Sequence, residues 1–486
     1  MGNEVNTRRE AAKKDFSDIV RKYILPMFDT RGKVKFYDNT AKKINSDLIM
    51  IEEDDIETVG LFFPKIGSEK EPAPFYYKVG LYYVDSVKCA AESIMRELLK
   101  VAEYKFDSDF AKKNHYGINA QSNASYKSRV FDLAYELGMC SSLTQKDEHA
   151  IVLHTVISRM VEWAARTYEG KNVPFGIVVD FSIPESNNSA DYLHFLENDC
   201  SAVFTDGIFT GIQLDRKGNI KSFLTRECVP EKVIEGHDVF VPFQFENLAR
   251  FCVGSAVGII ALTNGEILLI KDQAVKYAKR GRKWVFFDWD RVYGCLRPYF
   301  LKSIPIEQQR PEDEQEILHK VKSIYCTLLD VSFSHSGGCL AIVLPEYDVQ
   351  VEKVVTERID LFAKGGSMEG LKAAVREKVQ VLTYLLSYPE NKMRFFFATA
   401  KQLRREILSL DGATVVSPNG AFYCAGSIVA VSGGSTGGGR TAAAKTLAQF
   451  GVGIKISEDG YIEAWGVPIQ GKDEQPGRMV RLFSLK

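Results

Sequence analysis

No two cysteines of this chain stand in a C-x-x-C arrangement; its nine cysteines are scattered between Cys89 and Cys424. That scatter excludes a disulfide framework and a thiolate zinc site, and it suits reduced thiols in a cytoplasmic setting. Histidine is scarce as well, with seven in 486 residues. His149 and His154 are five apart, a spacing that does not stack them on one helical face as a metal pair requires. Neither charge is in excess: 62 Lys and Arg face 63 Asp and Glu, for a net charge of −1. The basic surplus of a dedicated nucleic-acid binder is therefore missing. No apolar run approaches a membrane span, and no signal-peptide core is present. The expectation is a cytoplasmic protein with no membrane partner.

What is there is the composition of a globular protein, 45% hydrophobic and 26% charged. The length implies about two or three domains. Residues 1–110 read as an α+β region of unknown role, 130–305 as an α+β sensor or regulatory domain, and 310–486 as a third domain. The boundaries are the polar stretch 105–128, taken as a linker or surface loop, and Ile304–Asp313, a linker with Pro305 and Pro311 among acids and glutamines. No long-period internal repeat is apparent. Asp206-Gly207-Ile208 faintly echoes the later Asp411-Gly412-Ala413, but a turn signal alone accounts for it.

Periodicity and turn residues give the elements. The first region predicts a charged helix (Arg8–Ile24), strands at Asp47–Ile51, Val59–Phe63 and Tyr76–Val84, and a helix at Ser86–Ala102. The middle region predicts a helix over Asp147–Tyr168, a strand Phe175–Phe181, and two hairpins. One hairpin turns at Lys217-Gly218-Asn219. The other joins Ala256–Leu262 to Glu266–Ile270 through Asn264-Gly265, a strong two-residue turn signal. Lys276, Lys279, Arg280, Arg282 and Lys283 cluster beside Tyr277 and Trp284. Such a cluster can grip single-stranded nucleic acid; a solvated helix end followed by a strand with an aromatic core face explains the same residues and is the preferred reading.

The last region predicts a compact α/β pattern. Helices cover Glu314–Leu329, Val351–Phe362, Met368–Leu386, Lys401–Leu408 and Arg440–Gln449. Strands cover Cys339–Leu344, Arg394–Ala398, Ala413–Val416, Phe422–Val431, Gly453–Ser457 and Tyr461–Trp465. The fold class is α/β in this region and α+β overall, with a mixed sheet flanked by helices.

Within it, Gly433–Gly439 holds five glycines in seven residues. Consecutive N–H groups in such a loop can point into one concavity that binds phosphate. The loop runs into a helix N-terminus, where unpaired N–H groups and the helix dipole favour an anion. Arg440 stands there and can fork two donors onto phosphate oxygens. Asp411, in a helix-to-strand turn, could hold Mg²⁺ or Mn²⁺ or accept a proton from a sugar hydroxyl. The bland alternative is a turn and a flexible hairpin end. Gly434–Thr441 also fits the P-loop spacing, with Arg440 for the lysine. Beyond Thr441 the pattern holds a single hairpin, where a P-loop domain needs further parallel strands and a Walker-B acid.

Asp411-Gly412-Ala413, Asn419-Gly420, Gly438-x-Arg440-x-x-Ala443-Ala444 and Ile456-Ser457-Glu458-Asp459-Gly460 resemble, in order and approximate spacing, the diadenylate cyclase (DAC) domain family. That domain is known from the N-terminal part of the bacterial DNA-integrity scanning protein. Gly337-Gly338-Cys339 resembles the opening of the family's first core strand. The resemblance spans about residues 310–470.

It implies a nucleotidyltransferase that condenses two ATP into cyclic di-AMP, releases pyrophosphate, and acts as a homo-oligomer with domains face to face. Asp411 would bind Mg²⁺ or Mn²⁺ and activate the 3′-hydroxyl. Gly412 and Ala413 would line the base and ribose. Gly437, Gly438, Gly439, Arg440 and Thr441 would hold the phosphates, with Ser457 and Glu458 near phosphates and metal. Where the family carries Arg-His-Arg, this chain has Arg440-Thr441-Ala442, so a ring donor and one cation are absent. The alternative expectation is a nucleotide-binding sensor or interaction protein without turnover.

Overall fold

A computed structural model of the chain describes residues 20–28, 34–38, 49–53, 57–62, 75–82, 90–98, 120–164, 174–185, 204–228, 239–305, 309–355, 373–388, 395–431, 438–469 and 478–485, with a few isolated positions between them. The chain divides into two compact units, Met1–Val239 with Phe245–Asp288, and Phe240–Gln244 with Trp289–Lys486. Each carries a mixed sheet covered by helices, so the protein is α+β. Among the described residues no helix is long and apolar enough to cross a membrane.

The first unit opens with β1 (Val34–Asp38), β2 (Ile49–Glu53), β3 (Glu57–Phe62) and β4 (Phe75–Tyr82), which form an antiparallel sheet in the order β1-β4-β3-β2. Most of the helix expected over Arg8–Ile24 lies outside the described residues, and that expected over Ser86–Ala102 is helical at 90–98. Next come α1 (Ala120–Thr144) and α2 (Asp147–Ala164). The supposed loop 105–128 therefore enters a helix at Ala120. Buried Ala134, Tyr135, Met139, Cys140 and Leu143 anchor α1, and its polar first turns propagate from that anchored part despite weak propensity. The helix α2 stops at Ala164, short of the expected Tyr168, because Thr167–Tyr168 pairs with Lys171–Asn172.

A seven-stranded sheet comes next, in the order β11-β10-β9-β8-β5-β6-β7. Its members are β5 (Phe175–Asp180), β6 (Thr210–Leu214), β7 (Ile220–Thr225), β8 (Ala256–Ala261), β9 (Ile267–Lys271), β10 (Ala274–Arg280) and β11 (Lys283–Phe286). All neighbours are antiparallel except β5 and β6. Both expected hairpins form, with Gly218 (φ +87) and Gly265 (φ +83) in the left-handed region their turns require. Alternate residues of β5 and β8, among them Phe175, Ile177, Val257 and Ile259, pack with Leu153, Ile157, Met160 and Trp163 of α2 in one core.

The basic cluster is not a helix end: Lys276–Arg280 belongs to β10, and Lys283 with Trp284 opens β11. Strand alternation divides its side chains between the two faces of the sheet, and Arg282 and Lys283 stay exposed. Tyr277 is buried, Arg280 forms a buried ion pair with Glu266, and Lys279 and Trp284 both donate to Oε1 of Glu136 at 3.0 Å.

The second unit begins with α3 (Trp289–Lys302) and α4 (Pro311–Ser334). The expected linker is thus shorter than Ile304–Asp313, because Pro311 opens the helix, where its missing N–H costs nothing. Asp313 closes the first turn by accepting the Arg310 N–H at 2.7 Å. The strand β12 (Gly338–Val343) leads through α5 (Asp348–Val354), α6 (Ala373–Leu386) and α7 (Lys401–Leu408) to β13 (Ala413–Val416) and β14 (Phe422–Ser427). The predicted Val351–Phe362 helix breaks at Val355, which bridges to Val429. The predicted strand Arg394–Ala398 is instead a 3₁₀ turn over Phe396–Ala398. Of its aromatic run only Phe396 is buried, its ring packed edge-on against Phe397 and Phe422, while Phe395 is exposed.

Finally, α8 (Gly439–Leu447) precedes β15 (Gly451–Ile456), β16 (Ile462–Gly466) and β17 (Val480–Leu485). The sheet runs β14-β13-β12-β15-β16-β17, with only β12 and β13 parallel. One face packs Cys339, Ala341, Ala413 and Val415 against Ala443, Ala444 and Leu447 of α8. On the other, Thr414 Oγ1 donates to the Ile407 carbonyl of α7 at 3.3 Å, and Arg404 of α7 donates to Thr327 of α4 at 3.1 Å.

Glu136 ties α1 to the seven-stranded sheet and makes its stability pH-dependent. Burial alone would raise its carboxyl pKa, but hydrogen bonds from His154, Trp284 and Lys279 prevail and bring it down to about 2. A folded value below the unfolded one contributes stability above the ordinary carboxylate range, lost as pH falls toward the folded value. Glu136→Gln should destabilise the protein by about 1–3 kcal/mol at neutral pH. In urea titrations the gap between variant and wild type should close as pH falls from about 5 toward about 2.

Candidate functional site

The second unit gathers its chemistry-bearing residues at one end of its sheet. Because β12 and β13 are parallel, both begin there, at Gly338 and Ala413. The antiparallel neighbours β14 and β15 end there, at Ser427 and Ile456. The turn before β13 supplies Asp411-Gly412 and the turn after β15 supplies Ser457-Glu458. Gly438 precedes α8, whose first turn lies at this end.

Helix α8 is seated by a close approach. A Cβ on Gly453 would lie 1.9 Å from the Ala444 carbonyl oxygen, so only glycine lets the helix lie this low on β15. That position carries Arg440, in the first turn, over the sheet end. Its guanidinium covers Gly337, where an added Cβ would meet Nη1 at 2.8 Å. Arg440 Nη1 donates to Glu458 Oε1 at 2.8 Å, and the Glu458 carbonyl is 2.7 Å from Nδ1 of His335. His335 (φ +54) closes α4 in the left-handed conformation, which turns the chain into Ser336-Gly337. Ser336 Oγ then bonds Ser409 Oγ at 2.7 Å, joining this corner to the turn that holds Asp411.

Asp411 is exposed, and its carboxylate has no hydrogen-bond or ion-pair partner among the described residues. The backbone beside it is packed tightly. A Cβ on Gly412 (φ +108) would lie 2.5 Å from the Gly426 carbonyl carbon, and one on Gly426 (φ +58) 3.1 Å from the Asp411 oxygen. Ala413 is buried and pairs with Ser427. Lys378 of α6 donates to the Gly426 carbonyl and, at 3.0 Å, to Glu357.

Gly438 (φ +80) and Gly439 are exposed at the start of α8, whereas Gly437 and the rest of the glycine run back to Gly433 lie outside the described residues. Thr441 is buried, as is Ala442 beside it. Ser457 closes its hairpin by donating to the Tyr461 carbonyl at 3.1 Å, and Glu458 stands exposed at the turn. The structure therefore brings Arg440, Glu458, Gly338 and the Asp411-Gly412 turn to one sheet end. Sequence reasoning missed His335, Ser336, Ser409 and Lys378 as neighbours of the site; the Gly337-Gly338 pair was the one local signal of a crowded corner.

No protein-family model matches the chain, and no curated protein matches it. The N–H groups of Gly439 and Arg440 at the start of α8 and the Arg440 guanidinium make one corner rich in donors, a setting that can receive an anion. Burial pushes the Cys339 thiol up to about 12, against the opposing pull of Arg440, so this cysteine stays neutral beneath the corner. Among the described residues no three metal-ligating side chains converge. A free exposed carboxylate at Asp411 still fits Mg²⁺ or Mn²⁺, which rest on one or two carboxylates plus water and substrate oxygens.

Gly453→Ala should unseat α8. A loss of about 1–3 kcal/mol in chemical denaturation is expected from overpacking, with the Cys339 thiol becoming reactive toward a maleimide under native conditions. Unchanged stability and a silent thiol would refute the seating argument.

Proposed function

We propose that the second unit is a nucleotide-binding domain of the diadenylate cyclase type, acting on ATP. The observation that carries this reading is the convergence of Asp411-Gly412-Ala413, Arg440 at the start of α8, and Ser457-Glu458 on one sheet end. That arrangement suits an anion with a ribose beside it. The phosphates would lie on the Gly438-Gly439-Arg440 backbone and the Arg440 guanidinium. Gly412 and Ala413 would line the base and ribose; at Gly412 a Cβ would collide with the Gly426 backbone.

In the reaction, the 3′-hydroxyl of each ATP attacks the α-phosphorus of the other. Each new 3′-O–P bond replaces a bond to the β-phosphate bridging oxygen, so two pyrophosphates leave and cyclic di-AMP closes. Asp411 would take up the 3′-hydroxyl proton or hold Mg²⁺ or Mn²⁺, which offsets charge on the phosphates. Arg440 would stabilise charge developing on the α-phosphate, after exchanging Glu458 for it. Two such sites from separate chains, face to face, would supply both nucleotides.

The second reading, a nucleotide sensor without turnover, is favoured by one observation. Thr441 and Ala442, which stand where the family has its ring donor and second cation, are buried and carry neither a ring donor nor a charge.

The deciding experiment incubates the full chain with ATP and Mn²⁺ and reads products by mass spectrometry. Cyclic di-AMP is expected, falling about 10²-fold or more in Asp411→Asn and in Arg440→Ala. ATP binding without product would establish the sensor reading. Absence of both would overturn the nucleotide assignment.

A further inference from the structure

We infer that the two units are copies of one fold, and that only the second copy retains the candidate site. The seven-stranded and six-stranded sheets share one connectivity. In each, a central strand (β5, β12) is parallel to the next strand in sequence (β6, β13), which forms a hairpin with the edge strand beyond it. In each, the other side of the central strand carries an antiparallel strand and two further antiparallel neighbours in succession. The strand β11 is an addition to the first copy.

The registers coincide as well. Ile177 pairs with Ile212 as Leu340 pairs with Thr414, and Phe175 pairs with Ala261 as Gly338 pairs with Ile456. These pairings equate Ile177 with Leu340, Ile212 with Thr414 and Ala261 with Ile456. Both hairpin turns then superpose bond for bond. Asp215 N–H donates to Asn219 O and Gly218 N–H to Asp215 O, as Ser417 does to Ala421 and Gly420 to Ser417. Leu262 N–H donates to Glu266 O and Gly265 N–H to Leu262 O, as Ser457 does to Tyr461 and Gly460 to Ser457. The turn glycines adopt φ of +87 against +90, and +83 against +81.

A third coincidence concerns packing. Gly258 occupies the register position of Gly453, and each is where the preceding segment approaches the sheet. A Cβ on Gly258 would lie 2.5 Å from Cys252 Sγ, as one on Gly453 would collide with Ala444. Once the register is known, a trace survives in sequence: Val257-Gly258-Ile259, Gly265 and Ile267 stand against Val452-Gly453-Ile454, Gly460 and Ile462. The absence of a repeat expected from the sequence is thus corrected; a lengthened connection between the first two strands of the second copy hides any fixed period.

The shared register also says what the first copy has lost. Counting back from Ile212, the counterpart of Asp411 is Phe209, which is 68% exposed. Glu458 corresponds to Thr263, Ser457 to Leu262, and Gly337 to Pro174. Asp206, in the earlier Asp-Gly echo, lies outside these positions and is consumed locally: its Oδ1 accepts the N–H groups of Ile208, Phe209 and Thr210. The first copy therefore has no carboxylate at the place of Asp411 and no acidic partner for a guanidinium at that of Glu458. The chain offers one nucleotide site, and a reaction joining two nucleotides draws its second site from another chain.

The copy relationship stands on geometry alone, whereas the site count rests on the nucleotide reading above, so the test has two arms. A non-hydrolysable ATP analogue titrated with Mn²⁺ into the full chain should bind once per chain by calorimetry, with affinity unchanged in Phe209→Ala and Thr263→Ala. Two bound per chain, or loss of binding in those variants, overturns the silent first copy. An experimental structure of the full chain should superpose the shared strands in the stated register. A slipped register or different strand order overturns the duplication. No analogue binding with the register upheld would overturn the nucleotide reading alone and leave the duplication standing.

Discussion

The contact on which the second unit depends is the approach of a helix carbonyl to a strand glycine, Ala444 over Gly453. It fixes how low α8 lies on the sheet and thereby where its first turn ends. The N-terminus of α8 carries partial positive charge and N–H donors, and the seating places those donors at the sheet end where β12 and β13 begin. Small residues along the inner face of α8, Ala443 and Ala444, are the other half of the same constraint. A larger side chain on either surface would lift the helix and carry Arg440 away from Gly337.

The electrostatics at that sheet end are left adjustable. Arg440 and Glu458 pair at 2.8 Å with side chains 30% and 71% exposed, a setting in which an ion pair contributes little. An incoming phosphate can replace the Glu458 carboxylate at modest cost and gain a charge-assisted bidentate contact. Asp411 is open in the same sense. In the first unit the nearest aspartate, Asp206, has its carboxyl held below the usual range; burial opposes this, but the N–H groups of Thr210, Ile208 and Phe209 prevail. An aspartate satisfied by its own loop organises that loop, whereas one left unsatisfied at a sheet end is available to a ligand.

Two copies of one fold with different endowments explain why the two halves differ so much in sequence. Hydrophobic residues at register positions are interchangeable as long as they fill the space, so Ile177 and Leu340, or Ile212 and Thr414, share no identity that sequence would flag. Positions under a backbone constraint keep their residue. Gly218 and Gly420 must adopt positive φ, and Gly258 and Gly453 must admit a neighbour where a Cβ would stand. The same contrast separates what was legible from what was not. Asn264-Gly265 and Asn419-Gly420 announced their hairpins, and Lys401–Leu408 and Ala413–Val416 were legible to the residue. Arg394–Ala398 read as a strand because aromatic residues favour strands, yet it is a 3₁₀ turn from which Phe396 alone reaches the core. The start of α1 read as a loop because its run of Asn, Gln and Ser shows no apolar periodicity.

By itself the sequence determined the turns, the Asp411 and Arg440 chemistry and the α+β alternation, because each follows from local backbone sterics or from the groups a side chain carries. Only the tertiary structure decided which strands are parallel, which sheet end collects those groups, and that the first half repeats the second. Strand order and register arise from contacts between residues distant in sequence, and many different apolar residues satisfy them equally well. It also decided that Thr441 is buried while Arg440 faces Glu458. Neighbours in sequence point to different sides of a helix, and which side is covered depends on the sheet beneath it.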